Sequence, residues 1–370
     1  MTEMDSKKRK VLYLPSTPLN LLVSVAHAVA HSAEQTAQLI LIDQKDSEDN
    51  IYLKALKSWS ASPFEQIDIT LGQGKGRKKL QERKFNFAKL SGLIEGFPAD
   101  AIAVGSDRRI EFQYLMHLRT LSSNEVEGWY LDDGLYSYAG RPYGLIKDQV
   151  NSLLKKLAYG CWWKEPKTVG ASEWIKRAWL FSPKNAVALI QKKSCYAISS
   201  EWFLSSNVSE FVSQVLEKFG LDSQVRKALE SIDLFVLIPH PNNILKMDGY
   251  VPRLEVFLKK TQQLGLKVAV KYHPRSKGPD FLELKKHYDI LLLPNDLAFE
   301  FIMPLLNSST IILGDVSSAL MTAKWLRADV AALAVLSESD SFAQQFRGML
   351  EELGVEIVSE FDSVFERITK

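Results

Sequence analysis

Apolar residues recur along this chain in short runs, and between the runs they fall at helical spacing. Val11 to Pro15 is the first run. It ends in Pro-Ser-Thr-Pro and predicts a buried strand entering a loop. Leu19 to Ala30 predicts a helix, Gln38 to Ile42 a second strand, Asn50 to Trp59 a helix and Glu65 to Leu71 an alternating strand. Gly72 to Arg83 reads as a Gly/Lys-rich loop entering a helix that ends near Ile94. Ala101 to Val104 predicts a strand, Gly105 to Arg109 its loop, Ile110 to Thr120 a helix and Gly128 to Leu131 another strand. Residues 143 to 205 predict mostly helix, and Ser199 to Ser231 a helical connection. A second series of strands is expected at Leu234–Ile238, Lys267–Lys271, Asp289–Leu293, Thr310–Leu313, Val330–Leu336 and Val355–Val358.

Strands alternating with helices predict parallel sheets, hence an α/β protein. A chain of 370 residues is long enough for two domains. The expected architecture is two Rossmann-like domains facing across a cleft, 1–200 and 201–370. Parallel strands end on one edge of their sheet, where ligands bind. Polar residues that follow strands are therefore the candidates for chemistry. They are Ser16 to Asn20, Ser106 to Arg109, Asp132-Asp133-Gly134, His273-Pro274 and Ser317-Ser318.

Composition narrows the function classes. A hydrophobic fraction of 46% and a charged fraction of 24% are those of a globular protein. The net charge of +2 gives no argument for a nucleic-acid partner. Charge is uneven, however: Lys147 to Lys193 holds ten Lys or Arg against three acids. That stretch also carries Trp162, Trp163, Trp174 and Trp179, so two readings stand: a solvated helical face with buried tryptophans, or a surface resting on anionic lipid. Cys161 and Cys195 make no disulfide framework and no metal spacing. GQGKGRKK, from Gly72, is not a phosphate-loop motif and reads as a solvated basic loop. The N-terminal MTEMDSKKRK lacks a signal-peptide pattern, and no apolar run is long enough for a membrane span. The expected place is the cytoplasm, with peripheral contact to the inner membrane as the variant.

Each candidate has a plain reading beside a chemical one. Asp132-Asp133-Gly134 after a strand suits a capped turn, a base or a metal site. His273-Pro274 suits a packed histidine, or an imidazole that protonates or hydrogen-bonds a phosphate leaving group. His240-Pro241 repeats that pattern after Leu234–Ile238; we prefer His273, because nucleotide-contact candidates follow it. Ser317-Ser318 suits an N-cap or a phosphate site at a helix start, and the two are compatible. Glu300 suits an exposed helix residue, or a carboxylate accepting both ribose hydroxyls with Phe299 near the base.

Together these motifs resemble those of the bacterial sialyltransferases, including the lipooligosaccharide sialyltransferases and capsule polysialyltransferases. The likeness rests on an acidic pair plus Gly, a His-Pro and a Ser pair, with Phe299-Glu300 between the last two. Thr17 to Leu22 (TPLNLL) also looks like the segment that opens several of these families. The resemblance implies a GT-B fold and an inverting transfer of sialic acid, or a related nonulosonic acid, from its CMP-sugar. The acceptor would be a hydroxyl of a cell-surface glycan or glycolipid: lipooligosaccharide, O-antigen or capsule. It implies Asp132 as general base, with Asp133 the runner-up and a possible orienter of the loop and acceptor. It implies His273 on the departing phosphate, Ser317 and Ser318 as the phosphate pair, Glu300 on the ribose, and Lys271 and Pro274 beside the nucleotide. Acceptor contacts are expected from Asn20, Asp107, Arg108, Arg109 and Glu111, a local salt-bridge network of Asp107 and the arginines being the alternative. No cofactor and no metal are expected, since one His, two hydroxyls and a helix N-terminus can stabilise a single leaving phosphate. A CMP-Kdo-dependent transferase, a UDP- or GDP-sugar transferase and a catalytically idle nucleotide- or glycan-binding protein are the rivals.

Overall fold

The computed structural model describes residues 8–122, 125–141, 144–336, 344 and 346–368, with the side chains of Leu145 and Lys147 excepted. Most of the N-terminal stretch read for targeting lies outside them. The chain divides into two compact units, Met1–Val215 and Leu216–Lys370.

The first unit holds a parallel sheet in the order β3-β2-β1-β4-β5-β6-β7. Its strands are β1 Arg9–Leu14, β2 Gln35–Gln44, β3 Phe64–Leu71, β4 Ala101–Val104, β5 Glu127–Leu131, β6 Ile175–Leu180 and β7 Ser194–Ala197. The central strands are apolar throughout because helices cover both faces of such a sheet. Val11 to Leu14 and all of β4 are buried accordingly. Helix Pro18–Ala30 begins where the sequence demands it: Thr17 caps it through its side chain, and Pro18 occupies the first turn, where no N–H is needed.

Two features differ from the expectation. Helix Gly76–Gly96 starts directly after the glycine-rich loop and not near Arg83, because Arg77 to Arg83 is a run of good helix formers. Within the stretch read as mostly helical, β6 and β7 extend the sheet. Neither has a strong pattern of its own. In β6, Lys176 and Arg177 interrupt the apolar residues, and β7 is an edge strand with exposed Ser194, Tyr196 and Ala197. Their strand state comes from pairing, Tyr130 opposite Ala178 and Ala178 opposite Cys195. The first unit also runs past residue 200. Helix Ser206–Lys218 packs Phe211 on Trp59 at 5.2 Å and offers Glu210 to the Ser60 hydroxyl at 2.7 Å.

The second unit holds a parallel sheet in the order β10-β9-β8-β11-β12-β13. Its strands are β8 Leu234–Leu237, β9 Val268–Lys271, β10 Ile290–Leu293, β11 Ile311–Gly314, β12 Ala331–Val335 and β13 Glu356–Val358. Val236 registers with Val270 on one side and Leu313 on the other. In both sheets the order reverses beside the first strand of the series, between β1 and β4 and between β8 and β11. That reversal opens the crevice in which such sheets take ligands. The Phe299–Phe301 segment is a single 3₁₀ turn rather than a helix, since Pro304 follows and cannot continue one.

Asp107 ties the β6 side of the first sheet to the loop after β4. Its buried carboxylate accepts the backbone N–H groups of Gly170 at 3.0 Å and Ser172 at 2.7 Å. Asp107→Ala would leave both N–H groups buried and unpaired, a loss of about 2–4 kcal/mol. The urea midpoint should fall correspondingly; an unchanged midpoint would show that this tie does not hold the segment.

Candidate active site

In the first unit the loops after β1, β4 and β5 interlock. The Thr17 side chain accepts the Asn20 backbone N–H at 3.2 Å, and its hydroxyl donates to Asp133 Oδ1. Asn20 is fully buried, and its Nδ2 donates to the Leu131 carbonyl at 3.3 Å. The Asn20 amide lies over the end of β4. A Cβ on Gly105 would meet it at 2.4–2.8 Å, so glycine is required there. The β1 loop thus reaches past β4 to hold the β5 loop.

The two aspartates have different surroundings. Asp132 is fully buried. Its Oδ1 accepts from Gly134 N at 3.0 Å and Ser137 Oγ at 2.6 Å; its Oδ2 accepts from Phe181 N at 3.1 Å and from the Tyr138 hydroxyl. Gly134, at φ 103°, makes the tight turn that returns its N–H to this carboxylate. Burial pushes the Asp132 carboxyl up. With two donors on each oxygen and no exposed face, Asp132 holds the turn. Asp132, expected as the base, is thus the inward carboxylate of the pair, and Asp133 is partly exposed.

The expected acceptor contacts are largely engaged in the fold. Asn20, Asp107 and Glu111 are fully buried. Arg109 pairs with Asp43, which Arg83 Nη2 also meets at 2.6 Å; Arg83 in turn pairs with Glu111. Arg108 pairs with Glu165, which Lys155 approaches at 3.1 Å. The arginines are held in local salt bridges, Asp107 is held by backbone N–H groups instead, and Arg109 keeps a partly exposed edge.

In the second unit, β8 lies between β9 and β11, so three loops stand in a row. His273 follows β9 and is partly exposed, with Pro274 exposed beside it. Its Nδ1 accepts the Arg275 N–H at 3.1 Å, which leaves the proton of the neutral ring on Nε2. Burial, with His240, Arg275 and Lys271 near, pushes its pKa down to about 4. At neutral pH His273 is thus an uncharged donor. Ser317 occupies the cap position of helix Ser318–Leu326, yet its hydroxyl makes no capping bond, and Oγ is buried without a partner. A helix start with no side-chain cap beside an unpartnered hydroxyl suits an anion.

Glu300 is joined to that helix through Thr322. Thr322 Oγ1 lies within hydrogen-bonding reach of the Ser318 carbonyl and, at 3.2 Å, of Glu300 Oε1. Glu300 is nearly buried rather than exposed, and burial pushes its carboxyl up. Lys271 is also buried. Its Nζ donates to the Tyr272 carbonyl at 3.1 Å and the Asn295 carbonyl at 3.2 Å, tying the loops after β9 and β10. Burial pushes its pKa down to about 8, with Glu300 and Asp296 pulling the other way. Phe299, expected near a base, is buried instead and packs on Phe235 of β8 at 4.9 Å.

Sequence reasoning passed over Thr322 and weighed His240 only as the rival of His273. The His240 and His273 rings lie 4.8 Å apart, and His240 Nδ1 accepts the Asn242 N–H at 3.0 Å, the same turn made twice. The signal was present as a repeated strand-His-Pro pattern, but only the strand order makes β8 and β9 neighbours. Among the described residues, no group of three or more His, Cys, Asp or Glu is placed to hold a metal ion, and no helix is long and apolar enough to cross a membrane.

Residues 100–336 match the family model described as alpha-2,8-polysialyltransferase (POLYST). The chain belongs to the alpha-2,8-polysialyltransferase family. It is accordingly a glycosyltransferase of the sialyltransferase type. The matched span contains Asp132-Asp133-Gly134, His240, His273-Pro274, Glu300 and Ser317-Ser318. A search of curated proteins found no match. Among solved structures, the chain is similar to an alpha/beta-galactoside alpha-2,3-sialyltransferase from Photobacterium phosphoreum. The TM-score is 0.58 at 11% identity, covering 95% of this chain and 99% of that one. It is similar to a UDP-GlcNAc 2-epimerase from Methanocaldococcus jannaschii, with TM-score 0.56 and 13% identity over 98% of this chain and 92% of that one. It is also similar to the UDP-GlcNAc 2-epimerase from Neisseria meningitidis, with TM-score 0.54 and 16% identity over 97% and 90%. At such identities the likeness shows the fold: this polysialyltransferase-family chain has two Rossmann-like domains of the GT-B class, as expected.

Two outcomes follow for this polysialyltransferase-family site. Gly105→Ala would displace the Asn20 amide, costing about 1–3 kcal/mol of stability. Transfer activity should fall more than the stability loss explains, because Thr17 and Asp133 move with Asn20; equal activity at a temperature where the variant stays folded would dismiss that linkage. The His273 imidazole should titrate near 4 rather than 6.5 by NMR. Between those values the unfolded chain binds the proton more readily. The His273 contribution to stability is therefore full above 6.5 and is lost as pH falls toward 4. Titration near 6.5 in the folded protein would refute the buried, neutral assignment.

Proposed function

We propose that this chain transfers sialic acid, or a related nonulosonic acid, from its CMP-sugar to a hydroxyl of a surface glycan or glycolipid, with inversion and without a metal. The observation that carries the reading is the edge of the second sheet. A buried, unpartnered Ser317 hydroxyl and a helix start without a side-chain cap stand in the same row of loops as the paired rings of His240 and His273. Such a set suits one phosphate monoanion. It would receive the charge that develops on CMP as the bond from the sugar's anomeric carbon to the phosphate oxygen breaks.

His273, neutral at pH 7, would donate from Nε2 to that phosphate, and His240 would stand as a second imidazole beside it. Ser317 and Ser318 would take the remaining oxygens. Glu300, fixed by Thr322, would accept the ribose hydroxyls. Lys271 would act indirectly, by fixing the loops around His273, and Phe299 by packing beneath the strand ends. In the first unit, Asp133 would take the proton of the acceptor hydroxyl as its oxygen bonds to the anomeric carbon, with Asp132 and Thr17 holding the carboxylate in place. The acceptor would be met at the inner face of the membrane.

The test is CMP release in EDTA from a panel of CMP-nonulosonic acids and CMP-Kdo. One CMP-nonulosonic acid should be turned over. His273→Ala should slow release by about 10²–10³. Asp133→Asn should lower transfer to an acceptor by about 10²–10⁴ while affecting hydrolysis by water less. Asp132→Asn should lower the unfolding temperature as well as the rate. Turnover of CMP-Kdo alone would favour the Kdo rival. Tighter binding of UDP than of CMP would defeat the donor assignment, and calorimetric binding of CMP without any turnover would favour an idle binding protein.

A further inference from the structure

Helix Leu145–Tyr159 is amphipathic in the reverse sense of a packed surface helix. The side that meets the rest of the unit is polar. Asp148 is buried and pairs with Arg141; Lys155 pairs with Glu165 at 3.1 Å and lies over the Trp163 ring at 3.9 Å. The outer side is apolar: Ile146, Val150, Leu153, Leu154 and Leu157 are 81, 51, 59, 58 and 77% exposed. At roughly 100° per residue these five form a stripe about 100° wide, opposite Asp148 and Lys155. Exposed Lys156 flanks it. The ion pairs on the inner side hold the helix with its leucines outward.

We propose that this stripe docks the chain on an anionic lipid bilayer. Charge complementarity selects that occupant. Lys156 is exposed on the helix itself, which opens a stretch, Lys147–Lys193, with ten basic against three acidic residues in sequence. Leucines on one side and lysine at the flank are the pattern of a helix lying in the membrane interface, sunk by roughly 5–10 Å. A second copy is disfavoured by size: one stripe of five side chains is small beside the roughly 800 Å² that a partner gives to a standard interface. Trp163 and Trp179 are buried and are not the contact. The argument uses no residue of the candidate active site and stands apart from the donor reading.

The experiment is co-sedimentation of the full chain with vesicles of phosphatidylcholine alone, or mixed with phosphatidylglycerol. The expected result is binding to the mixed vesicles that salt weakens and that is slight on phosphatidylcholine. Leu153→Glu with Leu157→Glu should reduce it by about tenfold or more, and Lys156→Glu by less. The milder pair Ile146→Ser and Leu157→Ser should follow the first, and the urea midpoint checks that every variant folds. Absence of wild-type binding to the mixed vesicles, or equal binding by the folded variants, overturns the proposal. So does a dimer, seen by light scattering, that the glutamates dissociate in a chain that binds no vesicles.

Discussion

Parallel pairing makes every strand of a sheet leave by the same edge, and both units of this chain are built on that constraint. A strand covered on both faces has no room for polar side chains, so the chemistry is confined to the residues just beyond it. Thr17, Gly105 and Asp133 follow β1, β4 and β5. His240, His273 and Ser317 follow β8, β9 and β11. The groups in each set are far apart in the chain and are brought to one edge only because the strands are neighbours.

Polar residues at these edges divide into supports and presented groups. Asp132 is buried among four donors and places Asp133; Lys271 is buried between two carbonyls and lies two residues before His273. Thr322 stands behind Ser318 and Glu300 in the same way. A buried charge with all its partners fixes a loop firmly, because losing any one of them leaves an unsatisfied group in a medium that cannot hydrate it. The partly exposed neighbour inherits that rigidity while keeping access to solvent.

Much of this was legible in the sequence. The apolar runs gave eleven of the strands, since β1 to β5 and β8 to β13 are near-continuous apolar or alternating segments. The motifs after them marked both edges. β6 and β7 were not legible, because their strand state depends on a neighbour to pair with and not on a period of their own. The choice between Asp132 and Asp133 was equally hidden: two identical side chains differ only in which of them the turn at Gly134 points inward. Phe299 looked like a nucleotide contact because it adjoins Glu300. The whole 3₁₀ turn is buried, and Phe299 packs on Phe235 in the core. His240 was set aside as a duplicate of His273, and only the strand order brings their rings together.

A helix that wears its leucines outward ties the behaviour of the purified chain to its solvent. In plain buffer the stripe on Leu145–Tyr159 faces water, and concentration alone then favours covering it with whatever apolar surface is at hand. A trace of mild detergent would occupy the stripe and keep the chain dispersed. Crystals grown without lipid would bury it between molecules. The resulting pair would have the look of a dimer while recording only an apolar stripe left without a cover.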